Sequence, residues 1–471
     1  MKAVVWFRRD LRVNDNRALC AAAERAEALH AVYVLSPGQW QRHNEAPAKT
    51  AFWKACLHEL ELRLAELGIG LHLLVADYYS DVAAAIASFA RQQQCSAVFF
   101  NREYEVNEIR RDELVNAELT QAGISSFSFD DRVLLPPGSL LTGSGGFYTV
   151  FTPFKKSWLG LAAKHDLQPL AVMAKRSAAV KVANSATEKW QCETGWRSDL
   201  WPAGEQAALD RLRKFSGQAM GRYQLQRDLP GINGTSLLSP YLAAGVLSPR
   251  QCLNAAIAAG KVFPQTGTGH EAWISELIWR DFYAHVLVGF PRVSRSQPFK
   301  MQTEALKWVY DPGQLEKWQT GQTGFPIVDA AMRQLNQTGW MHNRLRMVAA
   351  MFLSKYLFID WRAGEKYFMQ TLLDGDLAAN NGGWQWSAST GTDAVPYFRI
   401  FNPFSQSQRF DPDGSFIRKF CPEIASLPDA ALHDPKKLAA ALTAQKLSYP
   451  PMMIDPGFAR NRVMTAFKAL T

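Results

Sequence analysis

Cysteine is scarce and scattered in this 471-residue sequence. Cys20, Cys56, Cys95, Cys192, Cys252 and Cys421 include no C-x-x-C pair. They make a poor disulfide framework for so long a chain and fit a reducing compartment. Zinc-ligand spacing is missing too, and no metal site is expected. No apolar run approaches the ~18–20 residues of a membrane span, so no membrane association is expected. Charge interrupts the opening MKAVVWFRRD after a short apolar run; it reads as a first strand, not a signal peptide, and implies a cytoplasmic protein. The sequence holds neither G-x-G-x-x-G nor a Walker A loop, which argues against an ordinary dinucleotide or ATP site. Internal repeats and low-complexity tracts are absent.

What is present is a globular composition, 47% hydrophobic and 20% charged, long enough for two or three domains. The formal net charge of +9 suits a polyanionic partner such as nucleic acid or an acidic surface, and equally a basic soluble protein. Fifteen Trp, 27 Phe and 13 Tyr supply heavy cores or stacking surfaces.

Up to about residue 130, short apolar runs alternate with helical stretches. The strand candidates are AVVWF (3–7), HAVYVL (30–35), LHLLVA (71–76), AVFFN (97–101) and SFSFD (126–130). The clearest helix, 52–68, ends at a glycine suited to a C′ cap. Alternation of this kind predicts βαβ units and a doubly wound, parallel, five-stranded α/β domain. Periodicity fades over 131–203, which reads as a long linker. From 204 to 471 strand signals nearly vanish and an all-α domain is predicted.

Three helical-half segments carry unusual chemistry. In EAWISELIWRDFYAHV (271–286), Trp273, Glu276, Trp279 and Arg280 share one helical face. They form either a solvated Glu276–Arg280 pair or a carboxylate among indoles that needs a hydrogen-bond partner. In TGWMHNRLRMVAAMF (338–352), Asn343, Arg346 and Met347 share a face with Arg344 beside it. Amphipathicity explains that pattern, and so does a phosphate or ribose site. In LLDGDLAANNGGWQWSASTGTDAVPYFRIFNP (372–403), the DGD, NNGG and WQW runs are foreign to an ordinary core helix. Gly382 and Gly383 there permit close backbone approach or positive φ.

These three segments, with VVWFRRDLRVNDN at the start, resemble the photolyase/cryptochrome flavoprotein family over the whole chain, and most closely its bacterial class I cyclobutane pyrimidine dimer photolyases. The resemblance implies an antenna-chromophore domain (1–130), a linker (131–203) and a helical domain (204–471) binding FAD and DNA. It places FAD against Tyr223, Thr235, Ser236, Leu237, Leu238, Ser239, Trp273, Glu276, Arg280, Asn343, Arg346, Asp374, Gly375, Asp376 and Asn380. Without the family, TSLLS would read only as a helix N-cap. Asn380 matches the position facing flavin N5, where an amide favours the reduced anionic flavin of repair over signalling. Trp384, Trp361 and Trp308 match the electron-transfer chain.

For UV-damaged DNA, the resemblance implies contacts from Arg227, Glu276, Trp279, Arg280, Asn343, Arg344, Met347, Trp386 and Arg399. The dimer flips out of the duplex, as the bases acted on by photolyases do, and Trp279 and Trp386 stack on it. Light-excited FADH⁻ lends one electron, the ring opens and the electron returns. Glu276 is expected to bond a thymine carbonyl with a raised pKa. Asn343 and Met347 stand where (6–4) photolyases carry histidine. His43, Asn107 and Glu108 match a methenyltetrahydrofolate antenna site, although Ser294 and Arg295 replace the Cys and Lys of near relatives; a deazaflavin, a flavin or an empty site is the alternative. A monomer is expected. The alternatives to duplex repair are a signalling cryptochrome, a single-strand-specific cryptochrome-DASH photolyase, or a non-catalytic nucleic-acid-binding protein.

Overall fold

A computed structural model describes residues 1–171, 185–191, 195–260 and 267–470. Cys192 lies outside them; the five described cysteines are all free. The chain divides into two compact units.

The first unit comprises Met1–Gly221, Ser236–Ser294 and Leu373–Ala378. Its centre is an all-parallel sheet ordered β3-β2-β1-β4-β5. The strands are β1 (Lys2–Phe7), β2 (Ala28–Leu35), β3 (Gly70–Val75), β4 (Ala97–Asn101) and β5 (Ser125–Phe129). The five expected runs fall within one or two residues of these bounds. The register sets Trp6 opposite Val32 and Phe100. Val4, Trp6, Val34 and Val98 pack under Ile86, Phe89 and Val115, which explains why β1 reads as nearly continuous apolar sequence: a parallel strand is covered on both faces. The helix Pro47–Glu66 ends as its glycine predicts, with Gly68 at φ +81° and Ile69 N–H donating to the Leu64 carbonyl.

Several buried charges in this unit are paired. Arg12 and Arg250 both bind Asp131, and Arg250 Nε also reaches Asp15 at 2.9 Å. Arg12 also donates to the Gly245 carbonyl at 3.0 Å. A Cβ on Gly245, at φ +69°, would stand 2.0 Å from the Arg9 carbonyl oxygen, so only glycine fits this crossing. Residues 131–162 pack on the helix Gly269–Gly289: Asp281 accepts from Leu134 N–H, Leu135 N–H and Trp158 Nε1. Those three donors offset part of its burial, which still pushes the Asp281 carboxyl up to about 6.

The second unit comprises Arg222–Thr235, Arg295–Leu372 and Ala379–Thr471. It is helical apart from one isolated bridge, Val309 to Ile359. One core joins Trp318, Leu335, Leu345, Leu353, Trp361, Phe368, Trp384 and Ile417. The predicted amphipathic stretch 338–352 is shorter as a helix, Asn343–Met351. Gly339, at φ +67°, closes the preceding helix, and the His342 ring caps the next by accepting from Arg344 N–H at 3.2 Å. After Met351 the chain winds into a π-helical turn, Phe352–Leu357, and leaves through Phe358 at φ +55°. NNGGWQW lies inside a helix, Leu377–Ala388, and neither Gly382 nor Gly383 takes a positive φ. No helix among the described residues is long and apolar enough to cross a membrane.

Candidate functional site

At the carboxyl ends of the strands, where parallel α/β sheets place ligands, the first unit gathers three glutamates. Arg9 reaches Glu105 at 2.7 Å and Arg111 reaches Glu103 at 2.9 Å. Burial opposes the charge of both carboxylates, yet Arg9 with Arg111 holds Glu103 well below the usual range, and Arg9 with Arg132 lowers Glu105. Glu108 goes the other way: burial, reinforced by Glu105, pushes its carboxyl up to about 8. Its Oε1 accepts from Tyr79 OH at 3.2 Å, and its buried Oε2 has no hydrogen-bond partner. His43, whose pKa burial lowers, stands with Nδ1 3.6 Å from Glu108 and Nε2 3.0 Å from the Asn107 amide. The three residues expected at an antenna are therefore together. The adjoining cavity, walled by Trp40, Trp53, Tyr79 and Arg111, holds only about 30 Å³.

On the helix Gly269–Gly289, Trp273 is buried against Phe215, their ring centres 5.5 Å apart. Trp279 lies parallel to Phe151 at 3.6 Å, so one indole face is already covered. The Glu276–Arg280 pairing is not what the guanidinium does: Arg280 donates to the Arg132 and Leu242 carbonyls, and burial lowers its pKa. In the DGD loop of the same unit, Asp376 accepts from Arg132 at 2.8 Å, and the Gly375 carbonyl accepts from Lys49 at 2.7 Å. TSLLS does not act as a side-chain N-cap: Leu238 occupies the cap position of Ser239–Ala244, no side chain caps that helix, and Leu237 is left-handed at φ +53°.

In the second unit, Asn380 Nδ2 donates to the Glu365 carbonyl at 2.9 Å. The next amides form a chain, Asn381 to the Glu365 carboxyl at 2.9 Å and Gln385 to Asn381 at 2.9 Å. Burial pushes Glu365 up to about 7. Trp384 (2% exposed) and Trp361 (1%) share the core, and half-buried Trp308 packs against it. Trp384 meets Phe368 edge-on at 4.9 Å and Trp318 at 5.9 Å, while Trp308 meets Phe358 at 4.8 Å. A Cβ on Gly364 would stand 2.1 Å from Trp384 Cη2, so this glycine makes room for the indole. The Trp384 N–H is buried without an acceptor among the described residues. Outside the helix's own backbone, nothing lies within 4 Å of where a Gly383 Cβ would be.

The remaining expected residues of this unit are spread around that core. Arg346 Nε donates to the Met341 carbonyl at 2.9 Å, and Asn343 opens its helix with Met347 one turn on. Arg227 lies 5.9 Å from the Tyr223 ring, Arg344 pairs with Asp228, and Arg399 is exposed with its carbonyl bound by Lys355 at 3.1 Å. Thr235 and Trp386 are half-buried. Sequence reasoning missed Phe151, Gly364, Glu365 and Asp228. Only Gly364 left a trace, as a glycine inside an otherwise helical segment.

Comparison with known proteins bears on these arrangements. Residues 3–174 match the family described as DNA photolyase, and 273–469 the FAD binding domain of DNA photolyase. The deoxyribodipyrimidine photo-lyase of Salmonella typhimurium is 46% identical over 99% of this chain and 98% of its own; that of Escherichia coli is 44% identical with the same coverage. A class III photolyase of Agrobacterium tumefaciens superposes with a TM-score of 0.86 at 34% identity, covering 100% of this chain and 97% of that one. A Synechocystis cryptochrome also reaches 0.86, at 28% identity and 99% of each chain. The chain belongs to the DNA photolyase family.

Proposed function

We propose that the chain repairs cyclobutane pyrimidine dimers in DNA with light, as a deoxyribodipyrimidine photo-lyase carrying FAD. When bound, reduced FAD supplies the dimer with one electron on absorbing light and receives it back after ring opening, so no net redox change results.

The observation that carries the reading at residue level is the Asn380–Glu365 bond. A backbone carbonyl only accepts, so the Asn380 NH₂ must face it. The amide oxygen is then the end left for a ligand N–H, and an amide has no proton to release there near neutral pH. The unpartnered Trp384 N–H and the open space at Gly383 fit a cofactor beside the same helix. Backbone N–H groups of the Leu237–Leu238 run suit phosphate oxygens. Asp374, Asp376, Arg280, Arg346, Tyr223 and the TSLLS hydroxyls complete the flavin contacts. Trp384 and Trp361, both buried, and half-buried Trp308 would re-reduce the flavin.

Glu276 and Asn343 bond the flipped dimer, Met347 packs on it, and Trp279 and Trp386 stack against it. The Phe151 layer behind Trp279 holds that indole in one plane, which lowers the ordering cost of stacking. Arg227, Arg344 and Arg399 take the DNA backbone, with the salt dependence that phosphate contacts bring. His43, Asn107 and Glu108 hold a methenyltetrahydrofolate antenna. A protonated Glu108 with one oxygen partnerless among the described residues can both donate and accept, as a pterin edge requires. Near-ultraviolet absorbance beyond that of flavin after folate reconstitution supports this antenna; none excludes it.

We read the chain as a cytoplasmic monomer with its antenna domain at 1–130, linker at 131–203 and catalytic domain at 204–471. The test of function is reduced, anaerobic protein mixed with a duplex bearing one thymine dimer. Thymine absorbance returning only in blue light supports duplex repair. Repair confined to single strands moves the assignment to cryptochrome-DASH type, and no repair with flavin bound moves it to signalling. Glu276→Gln lowers repair per absorbed photon while flavin stays bound; an unchanged yield removes Glu276 from the chemistry.

A further inference from the structure

Arg344 is held from three sides. Its backbone N–H is fixed by the His342 cap at 3.2 Å; burial pushes that imidazole down to about 4, so the ring is a neutral acceptor at physiological pH. Its guanidinium lies over the Phe410 ring at 4.5 Å. Asp228 Oδ1 then takes one edge of the fork, at 2.9 Å from Nη2 and 3.3 Å from Nε. Nη1 has no hydrogen bond among the described residues. The Arg344 side chain is 17% exposed and that of Asp228 36%, so water screens the pair only in part. The turn carrying Asp228 runs close to its neighbour: a Cβ on Gly231 would stand 2.3 Å from Ser415 Oγ and 3.3 Å from Asp411 Oδ1.

A carboxylate beside an arginine does two things to an approaching phosphate. Beyond a few ångströms it cancels the cation, and an undamaged duplex passing over the surface meets a nearly neutral pair. In contact it leaves a directed donor edge at a fixed place, which rewards only a phosphate that arrives there. We propose that Asp228 is a positioning residue for Arg344 that sets discrimination between lesion-bearing and undamaged DNA: it suppresses the arginine's long-range attraction while presenting its free edge to one backbone phosphate of the distorted, dimer-bearing duplex. The proposal rests on the reading of Arg344 as a DNA-backbone contact.

The test compares the flavin-loaded protein with Asp228→Asn, Arg344→Gln and the double variant. Each is titrated in the dark with a duplex carrying one thymine dimer and with its undamaged twin, at several salt concentrations. Asp228→Asn is expected to bind undamaged duplex about 3- to 5-fold more tightly at low salt, with a salt slope steeper by up to ~0.9, the value for one phosphate contact. The lesion-to-undamaged ratio should fall about fivefold, and Asp228→Glu should restore it. In the Arg344→Gln background, Asp228→Asn should leave the ratio alone, because the cycle then has nothing to couple. An unchanged ratio in Asp228→Asn overturns the proposal, and so does an equal change in both backgrounds, which marks a merely structural role. If Arg344→Gln alone alters neither affinity, the reading of Arg344 as a contact has failed and the proposal falls with it. Flavin absorbance per protein confirms folding of every variant.

Discussion

At the strand ends, Arg9, Arg111 and Arg132 meet Glu103 and Glu105 in buried ion pairs. Around Trp384, by contrast, the packed side chains are Phe368, Trp318 and Trp361, and the polar groups nearby are a relay of amides ending on Glu365. In the first region the arginines hold Glu103 and Glu105 ionised against their burial. The second disfavours charge by burial, which raises Glu365 to about 7, and Asn380 cannot ionise. Fixed charges suit orientation of a polar ligand; a neutral, low-dielectric core suits a transient charge, which a nearby carboxylate would trap. This division of labour can be broken in either region.

The largest effect is expected from putting charge into the neutral region. Asn380→Asp sets a carboxylate against the Glu365 carbonyl oxygen that Asn380 now donates to. Repair per absorbed photon should fall at least about tenfold, equivalent to ~1.4 kcal/mol in a competing step, measured as light-driven loss of dimers. Trp384→Phe should slow photoreduction of oxidised flavin about as strongly, while chemically reduced protein repairs as before; equal loss in both assays would sink the assignment of Trp384 to the chain. Gly364→Ala forces a methyl into the Trp384 ring and should cost ~1–3 kcal/mol of stability, read by denaturant unfolding.

A smaller effect sharpens the contrast through pH. Glu108 sits higher folded, at about 8, than a free carboxyl. The folded state therefore binds a proton that the unfolded chain has released, and this contribution is present at low pH and lost as pH rises toward 8. Glu108→Gln should flatten the stability profile between pH 5 and 9 by on the order of 1–2 kcal/mol, seen as a Tm that changes less with pH. Lys355 is the smallest and opposite case. Fully buried in the π turn, with Lys300 and Arg399 nearby, its amine is lowered to about 7, mainly by burial. Lys355→Met should change stability by no more than ~1 kcal/mol and in the stabilising direction. The gain should be larger at pH 6, where the folded protein must carry the buried charge, than at pH 9.5.

Much of the fold could be read from residue order. The runs of β1, β2 and β4 were legible because parallel strands buried on both faces leave a nearly continuous apolar signature, while the edge strands β3 and β5 are only part-buried; Gly68 marked its helix end because few residues tolerate φ +81°. NNGGWQW misled for a physical reason. Two glycines and two asparagines have poor helix propensity, but tertiary packing of Trp384 against Phe368 and Trp318 overrides it. Membership of Ser236–Ser294 and Leu373–Ala378 in the first unit leaves no local trace, since it depends on contacts such as Lys49 with Gly375, 326 residues apart. At the site, the family motif pointed to Asn380 and the tryptophans. It did not point to the groups that orient them: Glu365 for Asn380, Gly364 for Trp384, Phe151 for Trp279. Those partners act through backbone carbonyls, bare Cα atoms and ring faces, which no spacing rule encodes.

The π turn at Phe352–Leu357 has a bearing on how such a chain tolerates insertion and deletion. A π turn accommodates one residue more than the α-helix around it needs. Removing one residue there would let the turn relax to α geometry with the outgoing chain kept in place, whereas removing one from the preceding α-helix, Asn343–Met351, would swing everything beyond it by about 100° around the helix axis. Trp361 begins its helix only four residues beyond Leu357, behind the left-handed step at Phe358. This one turn can therefore take up a change of a single residue without altering the azimuth from which a buried indole enters the core, and homologous chains of this architecture should differ in length here more readily than in the neighbouring α-helices.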